Sequence, residues 1–281
     1  MFPTLKVYGF AIFLMLLWGA NTPLLMAEEE TTRIPTVKEL LEHKYHILYY
    51  QGKDMSAHVH VVTTESSGSK REFEQSYIRW DRETSDDLSV DVYGDQKYYS
   101  YLYRPADYKN MVLIVWKYIG RDDDYWLYVP RIDLVKRIPP VDERTPHLGS
   151  VFCTEDTSGR DFEKDNHEFV EVTDSCYVFK SIPKEPGTVE FSYFKTWLQR
   201  KTFVPVQVEY YDKSGVPIRR WNPLNWEIKD GFVYYYKVQM KDLKANRVSV
   251  ATFSNMKFNT GITEDIFLER FMRNPPEEVF R

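Results

Sequence analysis

Four histidines fall close together in the chain, His43 with His46 and His58 with His60, and they are the first residues whose spacing could hold a metal. The first pair would share a helix face and the second a strand face. A zinc site needs two further ligands at workable spacing, and no Cys or Asp supplies them, so solvated or interface histidines are the better reading. Asp122-Asp123-Asp124 offers carboxylates for calcium but lacks the alternating ligands and the glycine of an EF-hand loop, which points to a hairpin tip. His147 and Ser150 could form half of a hydrolase site, with no evident acid to orient the histidine. No two glycines lie closer than ten residues apart, which removes GxGxxG and Walker-type phosphate loops. There is no GxSxG elbow and no HExxH helix. The residue types and spacings therefore imply no catalytic residue, no metal and no cofactor.

Cys153 and Cys176 leave two readings open, a disulfide or a pair of buried free thiols. Neither belongs to a CxxC motif, so redox chemistry and a structural zinc are not indicated.

The elements that would position any site follow from composition and period. Of 281 residues, 16% are aromatic and 28% charged, a mixture that excludes low-complexity disorder. Lys and Arg number 37 against 42 acidic residues, so no basic excess exists to drive nucleic-acid binding. Residues 1–27 read as a cleavable export signal. Lys6 precedes the apolar stretch GFAIFLMLL, a polar break follows at Asn21-Thr22-Pro23, and Ala27 stands before the acids Glu28–Glu30. No cysteine stands at that junction to carry a lipid, so the expected product is an exported, periplasmic, soluble protein of residues 28–281.

Residues 36–51 predict a helix, with Thr36 and Glu39 as a capping box and Leu40, Leu41, Tyr45, Leu48 and Tyr49 as its apolar stripe. Beyond it the period switches to two. Strands are predicted over 58–64, 72–80, 87–93, 96–104, 111–118, 125–129 and 134–138, and again over 167–173, 176–182, 189–199, 203–212, 217–223, 225–229, 232–241 and 247–258. A long loop over 139–164 interrupts them, with a short helical turn near Glu155, and loops of that length are often functional. A second helix is predicted over 263–272, capped by Thr263 and stopped before Pro275-Pro276. The fold class is mainly β (α+β), a single large curved antiparallel sheet or half-open barrel with terminal helices in its concave face.

The stretch DDYWLYVPRIDLVKRI (Asp123–Ile138), followed by Gly149-Ser150-Val151-Phe152-Cys153-Thr154-Glu155-Asp156, resembles the outer-membrane lipoprotein-sorting protein family, the LolA-like group. Residues 203–212 (FVPVQVEYYD) and Phe258-Asn259-Thr260-Gly261-Ile262 resemble it too, so the likeness covers nearly the whole mature chain. It implies a LolA/LolB-like half-open barrel whose apolar concavity shields acyl chains. Its partners would be lipid acyl chains or lipoproteins, with an inner-membrane transporter as donor or an outer-membrane acceptor. By that likeness Trp80, Trp116, Tyr210 and Tyr236 are candidate walls and Arg79 a polar contact at the rim, with plain core packing as the competing reading for each. Two other functions stand beside the carrier. One is a non-catalytic protein-interaction or envelope-stress-sensing module using Lys136-Arg137 and the 139–164 loop. The other is a hydrolase at Ser150 and His147.

Overall fold

The computed structural model describes residues 33–82, 93–138 and 144–280. The expected export signal, nearly all of the expected strand 87–93 and the first residues of the long loop lie outside them. Among these residues, thirteen strands form one antiparallel sheet. In chain order they are β1 (Asp54–Thr64), β2 (Lys70–Asp81), β3 (Gln96–Arg104), β4 (Val112–Lys117), β5 (Asp124–Val129), β6 (Leu134–Ile138), β7 (Asp165–Val172), β8 (Cys176–Pro183), β9 (Tyr193–Gln199), β10 (Pro205–Tyr211), β11 (Pro217–Lys229), β12 (Phe232–Asp242) and β13 (Arg247–Phe258). Their spatial order is β6-β5-β4-β3-β2-β1-β13-β12-β11-β10-β9-β8-β7, so β6 and β7 are the two edges and the sheet is unclosed. Short hairpins make this order. Between β11 and β12, for instance, Asp230 and Gly231 both take positive φ (51° and 82°), the conformation a tight two-residue turn requires. The two stretches expected as separate strands over 217–229 are one strand, with a register shift at Pro223–Asn225 absorbing the proline.

The capping box forms as the sequence suggests. Glu39 Oε2 accepts from the Thr36 amide at 2.7 Å, and the Glu39 amide donates to Thr36 Oγ1 at 3.3 Å. This starts helix α1 (Val37–Tyr45), which runs into one π-helical turn, His46–Tyr50. Leu40, Leu41 and Tyr45 pack on Tyr177, Phe179 and Leu198 of β8 and β9.

The connection from β6 to β7 links the two edges of the sheet, and its described part, from residue 144 on, crosses the face that carries α1. Leu148, Val151 and Phe152 of this crossing segment join a core cluster with Val59, Val61, Val238 and Ala251. Ser249 Oγ accepts from the Val151 amide at 2.8 Å. The helical turn expected near Glu155 is α2 (Thr154–Ser158). It ends at Gly159, where φ is +83° and a Cβ would meet the Tyr49 ring at 2.9 Å, so a side chain there would collide with the π-helical turn.

The C-terminal segment departs from expectation twice. It is not one helix over 263–272: a 3-10 turn (Glu264–Phe267) and a short helix α3 (Arg270–Arg273) are separated by an extended Leu268. The break lets Ile266, Phe267 and Met272 all reach the sheet, which a continuous helix would prevent by spreading them around its axis. Nor does the segment lie in the concave face. It packs on Ile78, Tyr99 and Ile114, which the pairing of β2, β3 and β4 places on the sheet's other face from Tyr77 and Tyr98. Strands β2 and β3 are consequently buried on both sides, as their nearly unbroken burial shows.

Candidate functional site

Under the π-helical turn and the crossing segment lies a cavity of about 200 Å³. Side chains from β3, β2, β1, β13, β12, β11 and β10 all line it, so this face curves around one space. The walls are mostly apolar, with Val59, Val61, Val238 and Ala251 as the floor and Met55 and Met256 as adaptable thioether walls. The lid is Ile47, Leu48 and Tyr49 from the π-helical turn, with His147 and Phe152 from the crossing segment.

Of the four expected wall residues and the expected rim contact Arg79, two line this space. Tyr210 lines it. Arg79 lines it as well, but at the base rather than the rim, being only 5% exposed. Its Nη2 donates to the carbonyls of Gln51 and Gly52 and pairs with Asp81 at 3.1 Å, while its buried Nε has no partner among the described residues. Trp80 and Trp116 lie on the opposite face against the C-terminal segment. Trp116 Nε1 donates to the Phe267 carbonyl at 3.3 Å, and Lys97 Nζ sits 3.8 Å from the centre of its ring. Tyr236 is turned outward, stacked with Tyr234 and donating to Glu227 at 2.6 Å. The register explains this. Tyr235 pairs with Trp226 and Lys237 with Asn225, so Tyr236 is the extra residue of a bulge, and the inward positions run 233, 235, 238 and 240. Tyr235 and Trp221, which a strict alternation overlooked, form part of the wall instead.

The residues that suggested chemistry are otherwise engaged. His58 and His60 pair across strands with Glu74 and Glu72 at 2.7 and 3.0 Å, on the face away from the cavity. His43 stacks on Phe203. No group of three metal-ligating side chains occurs among the described residues. Ser150 is buried and its hydroxyl donates to the Phe152 carbonyl at 3.2 Å, while the His147 ring faces Gln75 and Phe73. The Asp122–Asp124 run is a hairpin tip, where Asp123 accepts from the Tyr118 amide at 3.0 Å and Asp124 pairs with Arg137. Cys153 and Cys176 are free, buried thiols rather than a disulfide. Cys153 starts α2, its amide and thiol donating to Asp156 at 2.8 and 3.0 Å, and Cys176 is tied into the β7–β8 turn through Thr173.

Beside the cavity lies a buried charge cluster that the sequence did not announce. Arg144 Nη1 pairs with Glu155 at 2.6 Å, Arg160 bridges Glu155 and Asp165 at 2.7 and 2.9 Å, and Arg219 pairs with Asp156 at 2.5 Å. Lys44 is buried among them, 4.8 Å from the centre of the Phe194 ring, and burial lowers its pKa to about 8 against the pull of Asp165 and Glu155. Burial alone would raise the Asp156 carboxyl; Arg219 and Arg144 outweigh it and hold the group below its usual range. These ties fasten the crossing segment to β7 and β11.

Acid is expected to loosen the lid. Burial lowers His147 and His167 each to about 4, so between pH 6.5 and 4 the unfolded chain binds the protons and the folded chain does not. Stability is therefore lost as pH falls through that window, by up to about 3 kcal/mol for each histidine at 1.36 kcal/mol per pK unit. Burial raises Asp81 to about 6, which acts in the opposite sense, because the folded state takes up that proton first. Urea midpoints should fall from pH 7 to 4.5, and His147→Gln should flatten the slope. An unchanged midpoint across this range contradicts the assignment.

The fold built from this sheet is the LolA-like fold, and three solved structures share it. A DUF1329 family protein from Desulfovibrio piger superposes with TM-score 0.68 at 19% identity, over 85% of this chain and 100% of its own. A protein described as an outer membrane lipoprotein-sorting protein domain, from Vibrio parahaemolyticus, gives 0.67 at 20% identity, over 84% and 95%. A LolA superfamily protein from Nitrosomonas europaea gives 0.62 at 18% identity, over 85% and 100%. The family described as "-like: Uncharacterized protein" matches residues 94–274, and the chain belongs to that family. No curated protein sequence matches the chain.

Proposed function

We propose that the protein is an exported periplasmic carrier that shields the acyl chains of a lipid or lipoprotein, in outer-membrane lipoprotein sorting or lipid transport. It works without catalysis, and it exchanges cargo with an inner-membrane donor or an outer-membrane acceptor. The observation that carries this reading is the apolar cavity under the crossing segment, with seven neighbouring strands contributing to its wall. An acyl chain moved from water into such a space gains about 0.8 kcal/mol per buried CH₂, so the carrier needs apolar area and an adjustable wall, with no acid–base group. Met55, Met256, Leu48 and Tyr49 supply that wall. The shared fold of the lipoprotein-sorting domain from Vibrio parahaemolyticus is in keeping with the reading. An interaction module built on the long loop draws less support, because the described part of that loop is folded into the concave face.

Protein purified without detergent and extracted with organic solvent should release lipid near one molecule per chain, identified by mass spectrometry. Lipid-free protein that also fails to take up a fluorescent fatty acid would overturn the proposal.

A further inference from the structure

A second, polar pocket of about 410 Å³ opens beside the cavity, between the crossing segment, the β8–β9 connection and the ends of β11 and β13. Arg144 and Arg219 form its inner wall, and their side chains are 8% and 11% exposed. Both reach the carboxylate of Glu190, which is 43% exposed. Arg144 grips it with two donors, Nε to Oε2 at 3.0 Å and Nη2 to Oε1, and Arg219 Nη1 stands 3.6 Å from Oε1. The rest of each guanidinium is committed behind the pocket, Arg144 to Glu155 and Arg219 to Asp156 and the Val151 carbonyl.

Charge arithmetic singles out Glu190. Among the described residues the cations Lys44, Arg144, Arg160 and Arg219 face the carboxylates Glu155, Asp156, Asp165 and Glu190, four against four. The pocket's other charges are settled locally. Arg247 pairs with Glu65 at 2.7 Å, and Asp242 accepts the turn amides of Lys244 and Ala245. The side chains of Glu155, Asp156 and Asp165 are buried, whereas Glu190 comes from the exposed connection and keeps part of its carboxylate in water, so it is the one acid of the four that a competing anion could exchange with. Its departure would leave two buried arginines with one uncompensated positive charge. That demands one monoanionic group, and the arginine fork suits a carboxylate or a phosphodiester equally.

The two pockets meet at Tyr210. That ring lines the apolar cavity, and the Arg144 and Arg219 guanidinium carbons stand 5.3 and 5.2 Å from its centre. Asp156 likewise lines the cavity while it holds Arg219. We propose that the arginine pocket takes the monoanionic head group of an amphiphile whose tail lies in the concave cavity, with the Glu190 carboxylate keeping that place until the head group displaces it. This rests on the carrier reading and adds the head-group class to it.

The test compares dodecanoate, dodecanol and inorganic phosphate, each below any micelle concentration, by calorimetry and by the fluorescence of Trp221 in the cavity wall. Dodecanoate should bind about tenfold more tightly than dodecanol, as a charge-assisted bidentate contact allows. Glu190→Gln removes the competing charge and should tighten dodecanoate several-fold without changing dodecanol. Arg219→Gln should reduce dodecanoate to the level of dodecanol. Should that variant fail to fold, the Glu190→Gln comparison decides alone. Equal affinity for acid and alcohol, or a Glu190→Gln protein that binds dodecanoate no better, overturns the head-group site while leaving the carrier standing. Inorganic phosphate binding as tightly as dodecanoate also overturns it, because the tail would then contribute nothing. If neither amphiphile binds, the carrier reading falls and this site with it.

Discussion

Replacing Asp54 by Ala is expected to lower the free energy of unfolding by about 3–5 kcal/mol and to free the C-terminal segment from the sheet. Asp54 is 2% exposed at the start of β1. Its carboxylate accepts from the Thr260 amide and hydroxyl at 2.7 and 2.8 Å and from the amides of Gly261 and Ile262 at 2.9 and 3.2 Å. The turn can present these donors together because Gly261 takes φ +78°. Alanine would strand buried amides whose desolvation is no longer repaid by a charged acceptor. Ile262, Ile266, Phe267 and Met272 follow directly, and their burial against Ile78, Tyr99 and Ile114 depends on the turn being aimed at the sheet. Asp54→Asn keeps one acceptor oxygen and should cost less. Urea denaturation measures the loss, and trypsin should cut at Arg270 and Arg273 much faster in the alanine variant. An alanine variant with the wild-type midpoint and the wild-type cleavage rate would sink the idea.

This anchor shows where sequence reasoning runs out. The sheet was legible because period-two runs separated by Gly and Asp turns leave few alternatives, and the capping box at Thr36 and Glu39 marked the helix start to the residue. What one sheet face looks like depends on parity, and parity is reset by each bulge. On β12 the extra residue is Tyr236, so the alternating set Tyr234, Tyr236, Val238 and Met240 belongs partly to the outside and partly to the core. Trp80 and Trp116 lie on the other face for a different reason: Trp80 of β2, Lys97 of β3 and Trp116 of β4 share one side in register, and the C-terminal segment covers it. A signal for that was present in the run Tyr98-Tyr99-Ser100-Tyr101-Leu102, which is apolar at odd and even positions alike and therefore needs cover on both sides. The charge cluster was harder to see. Arg144, Glu190 and Arg219 come from three separate connections or strands, and only the crossing of the 139–164 loop over the sheet brings them together. The length of that loop was the one available hint.

Ala251→Phe is expected to abolish acyl-chain binding, weakening it at least about tenfold, while changing stability by no more than about 1–2 kcal/mol. Ala251 is 4% exposed on β13, between Val61 of β1 and Val238 of β12 in register, and all three face the cavity. It is the smallest side chain of that floor, so a ring added there projects into open space instead of into packed neighbours. Filling an apolar void recovers dispersion contacts, which offsets the strain of seating the ring. A carrier should therefore lose its cargo and keep its fold, a combination that a structural role for the cavity does not produce. Tyr236→Ser is the matched control. Its ring is on the outer side of the bulge, and binding should remain within about twofold of wild type. Trp80→Phe, on the face covered by the C-terminal segment, should likewise leave affinity unchanged even if it lowers the melting temperature. Lipid extraction and fatty-acid titration on the three proteins separate the outcomes. Undiminished binding in Ala251→Phe would place the cargo elsewhere on the molecule, and loss of binding in Tyr236→Ser would move it to the sheet's outer face.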